Sequence, residues 1–121
     1  MAHIYAESSE FVQRNIEKLL KQGVTGPEGY ALAHTEEAEE EACMRTCMLA
    51  NQINCPLYLA HVSCLATLDI IRTCRNKKGH VVFGEITPAA LSRNGQDYWN
   101  QDWMKAAAIV TCPPIRQDPI G

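Results

Sequence analysis

The stretch Cys55-Pro56-Leu57-Tyr58-Leu59-Ala60-His61-Val62-Ser63 decides the fold of this chain. It is a short apolar run that ends in a histidine and small polar residues, and a helical pattern over residues 65–75 follows it. Such a run is typical of a strand buried on both faces of a parallel sheet. Functional side chains in these sheets gather where strands end and loops begin. His61 therefore stands where a metal ligand or proton shuttle would stand, although by spacing alone a helix-capping or core histidine is the more frequent interpretation.

Segments typical of strands alternate with segments typical of helices along the rest of the chain. This alternation predicts βα units and a parallel sheet. A closed β/α barrel needs about 250 residues and eight strands, so the 121 residues supply about half of one. We therefore expect an α/β fold, a partial TIM-type β/α barrel in which residues 1–121 form a single segment. The expected helices cover residues 10–21, 36–53, 65–75 and 103–108, and the expected strands lie near residues 2–6, 56–62, 80–84 and 108–111.

Side chains with functional chemistry stand at the ends of the four predicted strands. Because the carboxyl ends of parallel strands meet at one edge of a sheet, we expect these side chains to share that edge. They are Tyr5 with Glu7, His61, Glu85 and Cys112.

Composition narrows the classes of partner. Hydrophobic residues make up 46% of the chain, charged residues 21%, and the net charge is −3, which is typical of a folded globular domain. The absence of a basic block argues against a nucleic-acid partner. No apolar stretch reaches the length that spans a bilayer, and the N-terminus lacks a signal-peptide pattern, so we expect no membrane partner and a cytoplasmic location.

The second predicted helix carries an acidic start and two cysteines. Glu36, Glu37, Glu39 and Glu40 occupy its first turns, where the helix dipole favours negative charge, and we interpret them as a solvated helix start. Cys43 and Cys47 lie one turn apart. They have the spacing to chelate a soft metal, but no second pair completes a site, so buried free thiols are the preferred interpretation. The predicted buried face comprises Ala38, Ala42, Met48, Leu49 and Ile53.

Several motifs together resemble the dihydropyrimidinase family, which includes bacterial hydantoinases and the collapsin response mediator proteins. The similarity runs without gaps over essentially the whole chain but covers only the central part of a family member. The motifs are Gly23-Val24-Thr25-Gly26-Pro27-Glu28-Gly29, Asn51-Gln52-Ile53-Asn54-Cys55-Pro56-Leu57-Tyr58, Val81-Val82-Phe83-Gly84-Glu85, Tyr98-Trp99, and Thr111-Cys112-Pro113-Pro114-Ile115-Arg116 with Asp118-Pro119.

The resemblance implies an amidohydrolase β/α barrel with a two-zinc centre and a role in pyrimidine catabolism. Such an enzyme opens a small cyclic amide, a dihydropyrimidine or a hydantoin, to an N-carbamoyl amino acid. Two-metal sites generate the nucleophile and stabilise the charge that develops. A full-length member is expected to be a homotetramer.

The family's site residues carry over only in part. His61 falls on a zinc-binding histidine in the pattern Tyr-x-x-His-Val, whereas Tyr5 falls on a second zinc-histidine position, where a phenol is a poor ligand at neutral pH. Cys112 replaces a serine whose backbone contacts the substrate ring. The family's His-x-His pair, bridging lysine and late aspartate lie outside this chain, which contains no His-x-His. The enzyme assignment is therefore open, and we expect no stable zinc on this chain alone.

Two classes of function remain open at this point. The first is a fragment of a cyclic-amide hydrolase that is inactive as an isolated chain. The second is a non-catalytic relative that works by assembly, as the collapsin response mediators do with the cytoskeleton. Loss of a ligand at Tyr5 fits the second class, while retention of His61, which those proteins commonly lack, fits the first.

Overall fold

The computed structural model describes residues 1–77 and 79–117. Strands alternate with helices throughout, so the α/β class predicted from the sequence is confirmed. None of the described helices is long and apolar enough to cross a membrane. The strands are β1 (Ala2–Tyr5), β2 (Leu57–Val62) and β3 (Val82–Ile86). The helices are α1 (Ser9–Lys21), α2 (Glu28–Ala33), α3 (Glu36–Gln52), α4 (Leu65–Arg75), α5 (Pro88–Ser92) and α6 (Trp103–Ala108), with a 3-10 helix at Gly95–Trp99.

The three strands form one parallel sheet in the order β1-β2-β3. Ala2 pairs with Leu57, and Leu57 pairs with Val82 on its other side. Each strand thus lies beside the next one along the chain, with helices in the connections, as in consecutive units of a β/α barrel. The predicted partial barrel is therefore confirmed for three strands.

One face of the sheet is covered by helices and the other is open. Leu57 and Leu59 are 0% and 1% exposed where α3 and α4 pack against β2. Tyr5 and Phe83, on the opposite face, are 41% and 47% exposed. The expectation that β2 is buried on both faces is therefore wrong, because the helices of this chain cover one face only. An open inner face and a helix-covered outer face are the two sides of a barrel wall.

Helix α3 packs through its small residues rather than its large ones. Met48, Leu49 and Ile53 were expected in the core but are 59%, 61% and 73% exposed. Small side chains let the helix approach the sheet closely, so the face that carries them is the one that is buried. The buried residues of α3 are Ala38, Glu39, Ala42, Cys43, Cys47 and Ala50.

The fourth predicted strand, near residues 108–111, does not form in the described part of the chain. This segment and the residues after it bond to the region of the 3-10 helix instead of to a strand. Tyr98 Oη donates to the Ile109 carbonyl and accepts from the Ile115 N–H, and the Gly95 N–H donates to the Arg116 carbonyl. Cys112 of this segment lies beside Tyr5, the last residue of β1, so the segment reaches the carboxyl edge of the sheet.

A buried ion pair joins this segment to the sheet and to α3. The Glu39 side chain is 6% exposed, so its assignment to a solvated helix start is wrong. Arg116 Nη2 donates to Glu39 Oε2 over 3.1 Å, and Arg116 Nε donates to Ser63 Oγ over 2.9 Å. Glu39 also accepts hydrogen bonds from the Ser63 N–H and hydroxyl, and Arg116 Nη1 donates to the His34 carbonyl. A buried carboxylate needs this degree of pairing to offset its lost hydration.

A β-bulge near the carboxyl end of β2 reorients its last residues. Between the pairs Leu59–Gly84 and Val62–Ile86, β2 advances by three residues and β3 by two. The extra residue lets His61 turn to the open face while Val62 returns to the core. His61 adopts a left-handed backbone conformation with φ 57°. Such a conformation costs a residue with a Cβ about 1–3 kcal/mol.

We predict that Glu39→Ala lowers the free energy of unfolding by about 3–5 kcal/mol, because it leaves the Arg116 charge buried without its partner. Urea denaturation followed by circular dichroism measures the change. Glu41→Ala is the matched control on the same helix, since Glu41 pairs with Arg45 at the surface, and it should leave stability unchanged. Equal effects of the two substitutions would contradict the assigned role of the buried pair.

The bulge predicts an unusual order of stability at position 61. His61→Gly should be more stable than His61→Ala by about 1 kcal/mol, because glycine adopts a left-handed conformation without a Cβ clash. At Tyr58, in regular strand conformation, the order should reverse, since glycine weakens a strand interior. Thermal unfolding of the four variants tests this. The same order at both positions would rule out backbone strain at His61.

Candidate functional site

Three side chains predicted from the sequence come together at the carboxyl edge of the sheet. Tyr5 ends β1, and its ring lies edge-to-face against the His61 ring with the centroids 5.8 Å apart. Tyr5 Oη lies 3.1 Å from Cys112 Sγ in a hydrogen bond between residues 107 positions apart. The expected proximity of Tyr5 and His61 is confirmed. The roles of these residues as ligands and substrate contacts stay predictions.

Glu85 and Tyr58 extend this group across the open face. Glu85 Oε1 lies 3.8 Å from His61 Nε2, and Glu85 Oε2 accepts a hydrogen bond from Tyr58 Oη at 3.0 Å. The Tyr58 ring in turn packs edge-on against His3, with the centroids 4.5 Å apart. Glu85 was expected at this edge from its place at a strand end. Tyr58 was not singled out, although its alternation with Leu57 and Leu59 in β2 indicates the opposite face from theirs.

The Tyr5 phenol keeps its proton. Partial burial, together with the hydrogen bond to Cys112, raises its pKa well above the usual value near 10. Burial and the nearby Cys112 thiol also raise the pKa of Tyr30. Cys112 thus lies beside two neutral phenols, and Tyr5 offers no phenolate at neutral pH.

These residues do not fit a zinc ion by themselves. His61 offers one imidazole and Glu85 one carboxylate, while the raised pKa of the Tyr5 phenol makes it a poor ligand, and three or four ligands are normal for zinc. In residues 1–77 and 79–117, one group of three potential ligands has its donor atoms within 4.8 Å of one another, and it lies at the starts of α3 and α4 instead. That group contains Cys64, and burial raises the pKa of its thiol to about 11. The group is Glu36, Glu40 and Cys64.

The enclosed space beside Tyr5 and His61 is small. A cavity of about 10 Å³ lies there, bounded also by Glu39, Thr67 and Pro113. This volume is close to the smallest that holds a water molecule. The chain therefore brings reactive side chains together without itself enclosing a substrate.

Comparisons with known proteins point to one family. No protein-family model matches the chain. Dihydropyrimidinase 2 of Caenorhabditis elegans is 44% identical over 119 residues, which are 98% of this chain and 23% of that protein. Dihydropyrimidinase-related protein 5 of Mus musculus is 42% identical over 115 residues, 95% of this chain and 20% of that protein.

Solved structures agree with these sequence matches. The structure of D-hydantoinase from Bacillus sp. AR9 superimposes with a TM-score of 0.90 at 31% identity, over 95% of this chain and 25% of that one. The chain thus spans about a quarter of the relatives that it matches. By sequence and by fold, the chain belongs to the dihydropyrimidinase and hydantoinase family, and it matches about a quarter of the length of the family members compared with it.

Proposed function

We propose that this chain supplies part of the active site of a cyclic-amide hydrolase and is the central segment of its β/α barrel. The observation that carries the proposal is the meeting of Tyr5, His61 and Cys112 at the carboxyl edge of the sheet. Active sites of β/α barrels lie at this edge. The names of the relatives, dihydropyrimidinase and D-hydantoinase, indicate a dihydropyrimidine or a hydantoin as the small cyclic-amide substrate.

The proposed reaction is a hydrolytic ring opening. A water oxygen adds to a ring carbonyl carbon, the ring C–N bond breaks, and the released nitrogen takes a proton. Within this chain, we assign His61 as a zinc ligand, Tyr5 as a degenerate ligand position, and the Cys112 backbone as a contact to the substrate ring. The remaining zinc ligands must come from outside residues 1–121, so the isolated chain should be inactive.

A second candidate function is non-catalytic assembly, of the kind that the collapsin response mediators perform. It is favoured by the 42% identity to dihydropyrimidinase-related protein 5 and by a phenol at the Tyr5 position. The imidazole of His61, held at the same edge in a strained backbone conformation, favours the hydrolase.

The setting of the longer protein is part of this proposal. We assign it to the cytoplasm and to pyrimidine catabolism, as a homotetramer without a nucleic-acid or membrane partner. The net charge of −3 on this segment supports the absence of a nucleic-acid partner, because nucleic-acid binding requires a basic surface.

We predict that the isolated 121-residue chain hydrolyses no dihydrouracil and binds zinc at well below one ion per chain. One imidazole and one carboxylate fall short of a zinc site. A spectrophotometric ring-opening assay and equilibrium dialysis measure the two quantities. Tight binding of one zinc per chain, or any turnover that chelation abolishes, would overturn the assignment of the missing ligands to other parts of the protein.

We also predict that Tyr5→His raises zinc occupancy and ring-opening activity in a complete barrel. A suitable host is C. elegans dihydropyrimidinase 2 with its matching 119 residues replaced by this chain. Each pKa unit by which a phenol exceeds the working pH costs about 1.36 kcal/mol, a factor of ten in available ligand, and a neutral imidazole avoids this cost.

Two controls test whether the gain depends on position 5 and on His61, or whether a histidine anywhere on the open face produces it. Adding His61→Ala should cancel the gain, and Tyr58→His, the same change on the same face, should produce none. If Tyr5→His changes neither zinc occupancy nor activity while the host ligands are intact, Tyr5 does not occupy a metal position.

A further inference from the structure

The outer side of helix α3 carries two different surfaces along its length. Its first turns expose glutamates, among them Glu36 and Glu37. Its second half and its C-cap residue expose large apolar side chains, because the small side chains of the helix are the ones that pack on the sheet. These exposed apolar residues, which we call the α3 stripe, are Met44, Met48, Leu49 and Ile53.

Completion of the barrel would leave the α3 stripe uncovered. Helix α3 contacts β2 on its inner side and also contacts α1 and α4, so its neighbours in the barrel wall are already present. Further barrel strands would pair with β1 and β3, the outer strands of the described sheet, and their helices would lie beyond those two edges. An exposed apolar patch that the fold itself does not cover marks a surface for another protein chain.

We propose that the α3 stripe packs against the α3 stripe of a second copy of this chain, with the two helices antiparallel. Arg45, Met48, Leu49 and Gln52 have the i, i+3, i+4, i+7 spacing of the four residues that form a hole in helix–helix packing. Met48 and Leu49 lie at the centre of this group, so one patch can serve both copies in a two-fold contact. The inference names a surface for the homotetramer of the proposed function and rests on that part of it alone.

The charges of α3 favour a second copy in the antiparallel orientation. The half that carries the stripe is close to neutral, since Glu41 pairs with Arg45, and it therefore matches itself. In an antiparallel contact centred between Met48 and Leu49, the two Glu41 residues lie roughly 20 Å apart at a rise of 1.5 Å per residue. Charges at that separation are screened, because the Debye length is about 8 Å at physiological ionic strength. A parallel contact would instead bring the two acidic starts together.

The size of the stripe predicts a weak dimer for the chain alone. Helix α3 has 17 residues and is about 25 Å long, whereas a standard stable interface buries about 800 Å² on each partner. One helix face supplies less than that area. We therefore expect a dissociation constant between about 1 μM and 1 mM. The ordinary alternative is that these are scattered surface residues without a partner, and it predicts a monomer at every concentration.

The test is sedimentation equilibrium of the 121-residue chain under reducing conditions, because Cys112 is an exposed free thiol. We expect a monomer–dimer equilibrium. Met48→Glu should weaken association by at least about tenfold, since it places a charge at the centre of an apolar contact. Leu20→Glu is the matched control, because Leu20 on α1 is 58% exposed and Met48 is 59% exposed. This control should leave association unchanged.

The orientation of the two helices is tested at Gln52. In the antiparallel contact, Gln52 of one copy lies opposite Arg45 of the other, so Gln52→Glu should tighten the dimer by about two- to tenfold through two new ion pairs. Gln52→Lys should weaken it by a similar factor. A parallel contact would place each residue opposite its own copy, and both substitutions would then weaken association.

A third substitution separates the stripe from the open face of the sheet. Phe83→Glu alters that open face and should leave association unchanged, and circular dichroism checks that every variant is folded. A chain that stays monomeric at about 1 mM would overturn the proposal. So would a dimer that Phe83→Glu weakens as much as Met48→Glu does, or one that both Gln52 substitutions weaken. Because the stripe and the residues Tyr5 and His61 lie on opposite sides of the sheet, none of these results bears on the proposed ring opening.

Discussion

The burial of one carboxylate constrains the whole carboxyl edge of the sheet. Glu39 sits inside the protein at the start of α3, where an unpaired charge would be strongly destabilising. Arg116 neutralises the charge of Glu39 in an ion pair, and the Ser63 N–H donates a hydrogen bond to the same carboxylate. Arg116 also donates a hydrogen bond to the His34 carbonyl. Four separate parts of the chain are thereby held at one point. His61 lies two residues before Ser63, and Cys112 lies four residues before Arg116, so the ion pair also positions the candidate site.

The sheet divides the molecule into a stabilising side and a reactive side. Helices α3 and α4 cover one face with small and apolar side chains, and the open face carries phenols, an imidazole and a carboxylate. The bulge in β2 places His61 on the open face of the sheet, whereas regular alternation would place it on the helix-covered face. A strained residue at a strand end is characteristic of functional positions, where the surrounding structure maintains a conformation that the residue alone disfavours.

Local patterns predicted the parts of the fold that depend on local physics. Helix α4 was predicted with its observed bounds, because small polar residues precede its apolar period and a Lys- and Gly-containing turn follows it. The covered face of α3 was predicted in part. Ala38 and Ala42 are buried as expected, and Cys43 and Cys47 are the buried free thiols that the sequence favoured. Met48, Leu49 and Ile53 are exposed instead of buried, because close packing against the sheet favours the smaller side chains. The burial of Glu39 was missed because its partner lies 77 positions away. The strand near residues 108–111 was wrong because the N–H groups of Ile109 and Val110 continue the last turn of α6, where they bond to the Ala106 and Ala107 carbonyls. The meeting of Tyr5 and His61 was foreseen because parallel strands align their carboxyl ends, whereas Cys112 reaches Tyr5 from the segment after α6 and not from a strand.

The most direct test of this account is a solution NMR measurement of proton contacts around the His61 ring. The structure predicts nuclear Overhauser effects between the His61 ring protons and those of Tyr5, whose ring lies edge-on to it with the centroids 5.8 Å apart. These contacts would establish that the bulge turns the imidazole to the open carboxyl edge. Contacts from the His61 ring to Ile71 and Cys74 in the core, with none to Tyr5, would instead put the imidazole on the helix-covered face and contradict the candidate site.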